Sequence, residues 1–452
     1  MDVTRTLARY VVEAPVDSVP DAVRREAVRS FVNWVGCTVG GSRHPSVDLA
    51  LAAVSPFAGS AQAGLLGRTE RLDVLNAALL NGIASHVFDF DDTHLKTIIH
   101  PAGPVASALV SLAQFKPVSG RDLLHAFILG VEVECRIGNA VYPAHYDIGW
   151  HITGTAGVFG AAAAAGRLLG LDEQQMVWAL GIAGTQSSGF REMFGTMCKS
   201  FHPGRAAQNG LTAAFLAKEG FTSSNRVLEA PRGFAHVRST ARDFNEITEN
   251  LGKSFEIALN TYKPFACGIV IHPSIDGCAQ IRAENGVKAE DIASIALKVH
   301  PLVLELTGKK TPQTGLEGKF SVYHSAAVAI IHGRAGEEEY SDAVVRDPRV
   351  ITLRDKVTAA ADPGVHEDAA HITVTLTNGK VIEKHVAHAI GSLKRPMSDA
   401  DLEAKFHHLV DPVTGEAPAT KLIKLAREIE TLADTAEIAR AGTVRQRAAT
   451  VV

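Results

Sequence analysis

The chain has 452 residues, a formal net charge of −4, 46% hydrophobic residues and 21% charged residues. This balance is typical of a globular protein, and it lacks the excess of positive charge that holds nucleic acid or an anionic membrane surface. We therefore expect no nucleic-acid partner and no membrane, and any positively charged site must be local.

Residues 1 to about 260 show helical patterns almost throughout. Residues 1–15 form an amphipathic helix pattern without the long apolar core of a signal peptide. Apolar residues then recur at helical spacing, which predicts helices over residues 21–39, 71–88, 101–114, 120–141, 153–169 and 200–220. Their many Ala and Gly residues indicate helices that pack closely against one another in a large core.

The pattern changes after about residue 269. Residues 291–306 alternate apolar and polar side chains, which predicts a half-buried strand, and residues 318–332 have a helical pattern. Residues 371–388 are two β runs joined by Asn378 and Gly379, a strong hairpin signal. Helix is predicted again over residues 398–409, where Ser398 and Asp401 resemble a capping box, and over residues 421–432.

These patterns predict a mainly α protein with an inserted α+β domain. We assign residues 1–267 and 396–452 to a large helical domain and residues 268–395 to the smaller insertion. The sequence shows no internal repeat and no low-complexity segment.

The cysteines predict a reducing compartment. The sequence has five, an odd number, and they form no Cys-x-x-Cys pair: Cys37, Cys135, Cys198, Cys267 and Cys278. Such a set is typical of free thiols rather than of disulfides or a cysteine-bound metal. The longest apolar runs, such as residues 161–165, are too short to span a bilayer. We therefore expect a cytoplasmic protein.

One stretch concentrates ionisable groups beside apolar neighbours: NGIASHVFDFDDTHLKTIIHPAGPV at residues 81–105. Within fifteen residues it places His86, Asp89, Asp91, Asp92, Thr93, His94 and His100. Burying carboxylates beside imidazoles is costly and shifts their pKa values, which is more typical of an active site than of a surface loop.

Four further segments carry polar residues in the apolar background. They are GWHITGTAGVFG with His151, FGTMCKSFHPGRAAQNG with Lys199, His202 and Arg205, YKPFACGIVIHPSID with Lys263 and His272, and KFSVYH with Tyr323. Taken singly, several have a structural interpretation: His151 as a core histidine, its Gly-rich surroundings as a helix contact, and Lys199 as a solvated residue. Lys263 is harder to explain in this way, because a lysine in an apolar stretch loses hydration unless it meets an anion.

Taken together, these residues suit acid–base chemistry beside a carboxylate. Lys199, Lys263 and Arg205 are cations for a polycarboxylate substrate, and helix N-termini add backbone N–H groups. His100 and His151 titrate near neutrality and suit proton transfer.

A metal site is an alternative interpretation of the same stretch. Asp89, Asp91 and Asp92 offer the hard oxygen ligands that divalent cations prefer, although their spacing is unlike that of an EF-hand. The sequence also lacks a phosphate-binding loop, a Rossmann fingerprint and a nucleophile elbow. Acid–base chemistry beside a carboxylate is the interpretation that remains beside this metal alternative.

The motifs resemble the MmgE/PrpD family, which contains 2-methylcitrate dehydratase, cis-aconitate decarboxylase and iminodisuccinate epimerase. The resemblance rests on NGIASHVFDFDDTH with HPAG, GWHITGTAGVFGAAAAAG, GTMCKSFHPGRAAQNG and YKPFACGIVIHPSID, in this order along nearly the whole chain. It implies a large helical domain formed by both ends of the chain, an inserted α+β lid domain, a homodimer, and catalysis without a metal or organic cofactor.

The resemblance also implies a pocket, which maps onto Asp89, Thr93, His100, His151, Lys199, Lys263 and Tyr323. We predict that Asp89, His100, His151 and Tyr323 are catalytic, and that the substrate-binding residues are Thr93, Lys199, His202, Arg205, Lys263 and His272. His94 is a rival for the role of His100, because the intervening loop varies in length within the family. Cys198 stands where we associate small polar residues with the family.

The predicted function is a cofactor-independent lyase that transfers a proton next to a carboxylate of a small di- or tricarboxylic acid. We favour a hydro-lyase similar to 2-methylcitrate dehydratase. The alternatives are a cis-aconitate decarboxylase, an epimerase of the iminodisuccinate type, or a binding protein without activity on the same scaffold.

Overall fold

The computed structural model describes residues 2–444, so residue 1 and residues 445–452 of the predicted helical domain lie outside the described part. Up to residue 248 the chain is built mainly from helices. They are α1 (Val3–Glu13), α2 (Asp21–Gly41), α3 (Pro45–Val54), α4 (Val74–His86), α5 (Ala102–Phe115), α6 (Gly120–Val141), α7 (Ala144–Asp147), α8 (Ile152–Leu169), α9 (Glu173–Thr185), α10 (Cys198–Lys218), α11 (Phe234–Arg238) and α12 (Asn245–Thr248). The six helices predicted between residues 21 and 220 are all confirmed within a few residues at most ends.

Helix α8 runs through the centre of this helical part, where it packs against α6 and α10. Its small residues permit close contact: a Cβ added at Gly160 would lie 2.7 Å from the carbonyl oxygen of Gly130 on α6. Helix α8 is long and apolar enough to cross a membrane by length and composition, but 83% of it is buried inside the protein.

Helices α4 and α10 cross with their backbones in contact. A Cβ added at Gly82 of α4 would lie 2.4 Å from the Cα of Gly204 on α10, so only glycine fits at this crossing. The crossing brings the end of α4, at His86, close to the beginning of α10, at Cys198.

Two short strand pairs accompany these helices. The strands are β1 (Ala63–Gly64), β2 (Arg71–Leu72), β3 (Asp92–His94) and β4 (Asn260–Tyr262). Strand β1 pairs with β2, and β3 pairs with β4, both antiparallel, with Asp92 opposite Tyr262. The second pair joins the polar stretch at residues 81–105 to the segment that follows β4.

The chain then forms a four-stranded sheet covered by helices, in the order β6–β5–β7–β8. The strands are β5 (Ile292–Val299), β6 (Val357–Ala361), β7 (Ala370–Leu376) and β8 (Val381–Val386), and the helices are α13 (His272–Asn285), α14 (Pro301–Thr307), α15 (Gly315–Gly318), α16 (Val322–His332), α17 (Asp342–Val345) and α18 (Pro348–Arg354). The β7–β8 hairpin is confirmed, with Gly379 at a φ of 86° in the turn.

The predicted strand over residues 291–306 is wrong in its second half, which is helix α14. Pro301 occupies the first turn of α14, and the His300 side chain accepts a hydrogen bond from the backbone N–H of Leu302. Proline at this position and a side-chain cap favour a helix start, and they override the alternating pattern.

The last helices, α19 (Asp399–Thr414), α20 (Glu416–Arg427) and α21 (Ala436–Gly442), return to the first part of the chain. The predicted capping box at Ser398 and Asp401 is confirmed. Helix α19 packs on α2, where Phe406 lies against Gly36. The buried Lys405 amine donates to Asn33 Oδ1 and to the carbonyl oxygens of Phe90 and Lys263. The fold is thus mainly α with small sheets, while the division into two domains stays a prediction.

Candidate active site

Two lysines meet one buried aspartate at the junction of α4, α10 and β4. Lys263 Nζ lies 2.6 Å from Asp89 Oδ1, and Lys199 Nζ lies 3.0 Å from the same oxygen. All three side chains are buried. Burial raises the pKa of the Asp89 carboxyl, but the two ammonium groups outweigh this effect and hold the pKa well below its usual range. Asp89 is therefore ionised.

The backbone is strained where it forms this wall. Asp89 has a φ of 51° and Ile98 has a φ of 60°. Such left-handed conformations are uncommon for residues with a side chain and rare for a β-branched one. Both residues line the pocket described below, and conformational strain of this kind concentrates at functional sites.

Two imidazoles face the Asp89–lysine cluster. The His100 Nδ1–H donates to the carbonyl oxygen of Asp92 over 2.8 Å, and the Thr93 hydroxyl lies 3.2 Å from the same nitrogen. His151 Nδ1 lies 2.8 Å from His202 Nδ1. Burial lowers the pKa of His100 and of His151 well below the usual value. Both rings are therefore neutral in this structure, and the Nε2 atom of each has no hydrogen-bond partner among the described residues.

A third imidazole, His86, lies behind the lysines. Its Nδ1 is 2.7 Å from Asp91 Oδ2, and its Nε2 is 3.0 Å from Lys199 Nζ. The ring centroids of His86 and His100 are 4.8 Å apart. His86 and Asp91 lie in the polar stretch at residues 81–105, which is the only sequence signal for them. His86 had no predicted role, and Asp91 was predicted only as a ligand in the metal alternative.

Asp89, the two lysines, His100 and His151 line a pocket between two parts of the chain. One wall is Asp89, Ile98, His100, Tyr146, His151, Phe194 and Lys199, and the other is Lys263, Gly268, Ile269, Val270, Leu306, Thr307 and Phe320. The free volume is about 30 Å³, which is room for very few water molecules. A groove of about 450 Å³ lies beside α13 and α18, but its lining contains no histidine and no buried carboxylate.

Three long helices begin at this pocket. Helix α5 begins two residues after His100, α8 begins directly after His151, and α10 begins one residue before Lys199. Helix N-termini carry unpaired N–H groups and partial positive charge, which favour a bound anion. The pocket therefore combines ammonium groups, helix N-termini and neutral imidazoles.

The structure places the other predicted residues around or away from the pocket. His202 supports His151, Thr93 supports His100, and His272 is buried beside Lys263 at the start of α13, where burial first and Lys263 next lower its pKa to about 3. Arg205 is exposed and donates to Gln208 Oε1. Tyr323 does not line the pocket, and its ring centroid lies 6.0 Å from Lys310 Nζ.

The contacts of His94 and His100 show which of these two histidines lines the pocket. His94 Nδ1 lies 2.7 Å from Thr97 Oγ1, and His94 Nε2 lies 3.0 Å from Glu256 Oε2. Both ring nitrogens of His94 are thus occupied on the side away from the pocket, and His100 is the residue that lines it.

The three aspartates of the metal alternative do not converge. Asp92 accepts hydrogen bonds from Ser30, Asn260 and the backbone of Ala102 instead. Potential ligand atoms of His86, His100 and His151, and of His86, Asp89, Asp91 and His100, do lie within 4.8 Å of one another. A metal ion there would have to displace the two ammonium groups from Asp89 and His86, so we assign no metal to this cluster.

Comparison with known proteins agrees with the motifs over most of the chain. Residues 5–247 match the MmgE/PrpD N-terminal domain, and residues 265–431 match the MmgE/PrpD C-terminal domain. The chain is 26% identical to a cis-aconitate decarboxylase-like protein of Aspergillus oryzae, over 97% of this chain and 96% of that protein. It is 27% identical to the human cis-aconitate decarboxylase, over 96% of this chain and 92% of that protein.

Relatives of a second kind match over a smaller share. The 2-methylcitrate dehydratase of Cupriavidus necator is 24% identical, over 81% of each chain. Since both domain models of the family match in order and cover most of the sequence, the chain belongs to the MmgE/PrpD family.

Proposed function

We propose that the protein is a lyase that transfers a proton next to a carboxylate of a small di- or tricarboxylic acid, without a metal or organic cofactor. The observation that carries this proposal is the pocket in which Lys199 and Lys263 meet Asp89 opposite the neutral rings of His100 and His151. The relatives, which are decarboxylases and dehydratases, support the same class of reaction.

The substrate carboxylates bind to the lysines and to the N-termini of α5, α8 and α10. Charge-assisted hydrogen bonds of this kind are stronger than neutral ones. They also stabilise the negative charge that develops on a carboxylate when the neighbouring carbon becomes carbanion-like, which is usually a large catalytic contribution. His100 and His151 then exchange protons with the substrate through Nε2.

Two reactions fit this arrangement. In decarboxylation, the bond to the carboxyl carbon breaks, carbon dioxide leaves, the bonding electron pair stays on the carbon that carried the carboxylate, and an acid supplies one proton to that remaining carbon. In dehydration, a base removes the proton and an acid protonates the leaving hydroxyl. Decarboxylation is favoured by the relatives that match almost the whole chain, whereas the hydro-lyase preferred from the sequence corresponds to relatives that match 81–87% of it.

Residues 268–395 serve as the lid of this site in our proposal, over a helical domain formed by residues 1–267 and 396–452. The support is that Gly268, Leu306 and Phe320 form one wall of a pocket with a free volume of only about 30 Å³. Opening of this wall would give a tricarboxylate room to enter, and its closure would exclude water from the reaction. A homodimer and a cytoplasmic location remain predictions.

The proposal is tested by incubating the purified protein with cis-aconitate, citrate, 2-methylcitrate and iminodisuccinate in deuterated water. Proton NMR identifies the product and shows whether deuterium enters at the carbon next to a carboxylate. We expect turnover of one tricarboxylate, unchanged by a chelator. No conversion of any of the four by folded protein contradicts the proposal, and activity lost to a chelator and restored by a divalent ion contradicts its cofactor-free form.

A further inference from the structure

A continuous chain of contacts connects Asp91 through His86 to Lys199. Asp91 Oδ2 lies 2.7 Å from His86 Nδ1, and His86 Nε2 lies 3.0 Å from Lys199 Nζ. Asp91 and His86 are almost completely buried, and neither lines the pocket, whereas Lys199 does. The two buried residues can therefore influence a substrate only through Lys199 or a neighbouring ring.

The protonation of this chain follows from its partners. Burial raises the pKa of Asp91, but His86 and His100 outweigh this effect and lower it, so Asp91 is ionised and can only accept hydrogen bonds. Burial lowers the pKa of His86 despite Asp91, so the ring is neutral. His86 must then carry its proton on Nδ1, which leaves the lone pair of Nε2 directed at Lys199.

One N–H group of Lys199 has no hydrogen-bond acceptor among the described residues. Its ammonium group has three N–H donors: one can reach Asp89 Oδ1 and a second can reach His86 Nε2, each over 3.0 Å. The third has no hydrogen-bond acceptor among the described residues and is available to a ligand in the pocket. Burial first, and then Lys263, lower the pKa of Lys199 against the opposite effect of Asp89 and Asp91, so this ammonium releases a proton more readily than an exposed lysine.

We propose that Asp91, His86 and Lys199 form a proton relay, in which Lys199 exchanges a proton with the reacting carbon and is not only a binding group for a carboxylate. This inference rests on the proposed function and names a further proton-transferring residue for it. Lys199 is the catalytic residue of the relay, because it alone reaches the pocket. Asp91 and His86 are positioning residues that fix its orientation and accept its proton.

The relay balances in both reactions. In dehydration, a proton moves from Lys199 Nζ to His86 Nε2, Asp91 stabilises the resulting imidazolium, and the neutral amine takes the proton from the substrate carbon. The Lys199 ammonium then gives a proton to the leaving hydroxyl, which departs as water when the C–O bond breaks and the carbon–carbon double bond forms. His86 returns its proton to the Lys199 amine, which restores the starting state. In decarboxylation, the Lys199 ammonium gives a proton to the carbon that keeps the electron pair after carbon dioxide leaves. The amine then regains a proton from solvent when the product departs, so each turnover consumes one proton.

The charged and titratable groups around the relay come from several elements. Asp89 follows α4, His100 precedes α5, His151 precedes α8, His202 lies on α10, and Lys263 follows β4. Removing the charge of Asp91 takes away a negative charge that favours the protonated forms of His86 and Lys199. The pH limb of kcat that belongs to the relay should therefore move to lower pH, whichever reaction is catalysed.

The test compares Asp91→Asn and His86→Gln with Glu256→Gln. Glu256 is a matched control, because it forms a similarly buried carboxylate–imidazole pair with His94 that has no contact with the pocket. We expect the two relay variants to lower kcat by about a hundredfold, to change KM only a few-fold and to shift one pH limb. Glu256→Gln should lower the melting temperature without shifting either limb.

A third variant, Lys199→Arg, separates binding from proton transfer. Arginine keeps a positive charge for the substrate carboxylate but is not deprotonated in proteins. We expect this variant to bind the product as an inhibitor and to lose turnover. If Lys199→Arg keeps its kcat, or if the relay variants lose activity only in step with their stability and with unchanged pH limbs, the relay is wrong.

A second measurement does not depend on turnover. In protein labelled with ¹⁵N-histidine, the shifts of His86, assigned by comparison with His86→Gln, report which ring nitrogen carries the proton. We expect Nδ1 to be protonated and Nε2 to be bare in the unliganded wild type. A proton on Nε2 overturns the relay even if a substrate is found, whereas wild-type protein that converts no polycarboxylate overturns the proposed function instead.

Discussion

Asp89 and Glu134 are both buried carboxyl groups, but their surroundings are opposite. Asp89 lies within 3.0 Å of two ammonium groups. Glu134, on α6, faces the glycines of α8 and has no hydrogen-bond partner on either oxygen among the described residues. Burial, and secondarily Asp92, raise the pKa of Glu134 well above its usual value, whereas the pKa of Asp89 is well below.

The contrast shows that burial raises the pKa of a carboxyl group and that neighbouring cations reverse this effect. Removal from water disfavours the charged form, so an isolated buried carboxyl becomes neutral. Two cations at hydrogen-bonding distance restore the charge of Asp89, and each cation is in turn held in place by it. The pocket thus contains charged groups that can bind a substrate, whereas the contact between α6 and α8 contains a neutral carboxyl group.

The largest effect is expected when Asp89 loses one of its two ammonium partners and so becomes more like Glu134, which has none. In Lys263→Met, the closer ammonium is lost and Asp89 keeps only Lys199. Breaking a buried charge pair on one side costs about 2–5 kcal/mol, so we expect KM to rise strongly, turnover to fall at least about a hundredfold, and the melting temperature to drop. Steady-state kinetics beside thermal unfolding measures both. A double variant with Asp89→Asn should lose less than the sum of the two single changes, and strict additivity would contradict the coupling.

The next effect concerns the imidazoles that face Asp89. His151→Ala should lower kcat about a hundredfold, because a neutral ring that exchanges protons is lost, while inhibitor binding remains measurable. His202→Ala should have a smaller effect of the same kind, since His202 contacts His151 Nδ1. If His151→Ala keeps near-normal kcat, His151 is a core histidine as the structural interpretation had it.

Glu134→Gln changes the other side of the comparison, and its effect depends on pH. The pKa of Glu134 is higher in the folded state than in the unfolded state. Its contribution to the free energy of unfolding is therefore fully present below the unfolded-state pKa and is lost as pH rises towards the folded-state pKa. The unfolding free energy of the wild type should therefore fall relative to the variant by up to about 1.4 kcal/mol per pH unit above about pH 5.

Chemical denaturation of both proteins between pH 4 and 8 measures this difference. Glu256→Gln is the matched control, because Glu256 is a buried carboxyl group with a partner. Burial raises the pKa of Glu256, but the hydrogen bond with His94 outweighs this effect and lowers it to about 2, so its loss should be destabilising at neutral pH rather than stabilising. A constant difference between Glu134→Gln and wild type across this range would mean that Glu134 is ionised.

The smallest expected effect is proton uptake on ligand binding. His100 and His151 are neutral in the empty pocket because burial lowers their pKa values. A bound anion favours their protonated forms, so binding of a tricarboxylate inhibitor should take up a fraction of a proton near pH 7. Calorimetry in buffers of different ionisation enthalpy detects this uptake, which Glu134→Gln should leave unchanged.

The sequence carried enough information for most helices and for the chemical inventory of the pocket. Helical periodicity located α2, α4, α5, α6, α8 and α10, and the clustering of acids and histidines beside apolar residues marked the polar stretch. The sequence could not predict the packing of distant parts of the chain. Whether Tyr323 lines the pocket depends on how the sheet-containing part lies against the helices. No local pattern in the sequence shows how these two parts pack, so it could not show that Tyr323 is absent from the pocket lining.

Two other differences did have a local signal. On α10, Lys199 and His202 are three residues apart and share a face, but Arg205 lies six residues from Lys199, about 240° around the helix, and is exposed. His86 precedes Asp91 by five residues in the stretch that was already marked. Its role became visible only when the α4–α10 crossing placed Lys199 against its Nε2.

The glycine contact between α4 and α10 has a consequence for how this protein tolerates change. Gly82 and Gly204 touch through their backbones, so no side-chain rotamer exists that could absorb an added methyl group. Any larger residue there must push the two helices apart and lengthen the distance between His86 and Lys199. In a saturation mutagenesis experiment scored by activity, these two glycines should therefore be as intolerant as the ionisable residues, although they carry no functional group.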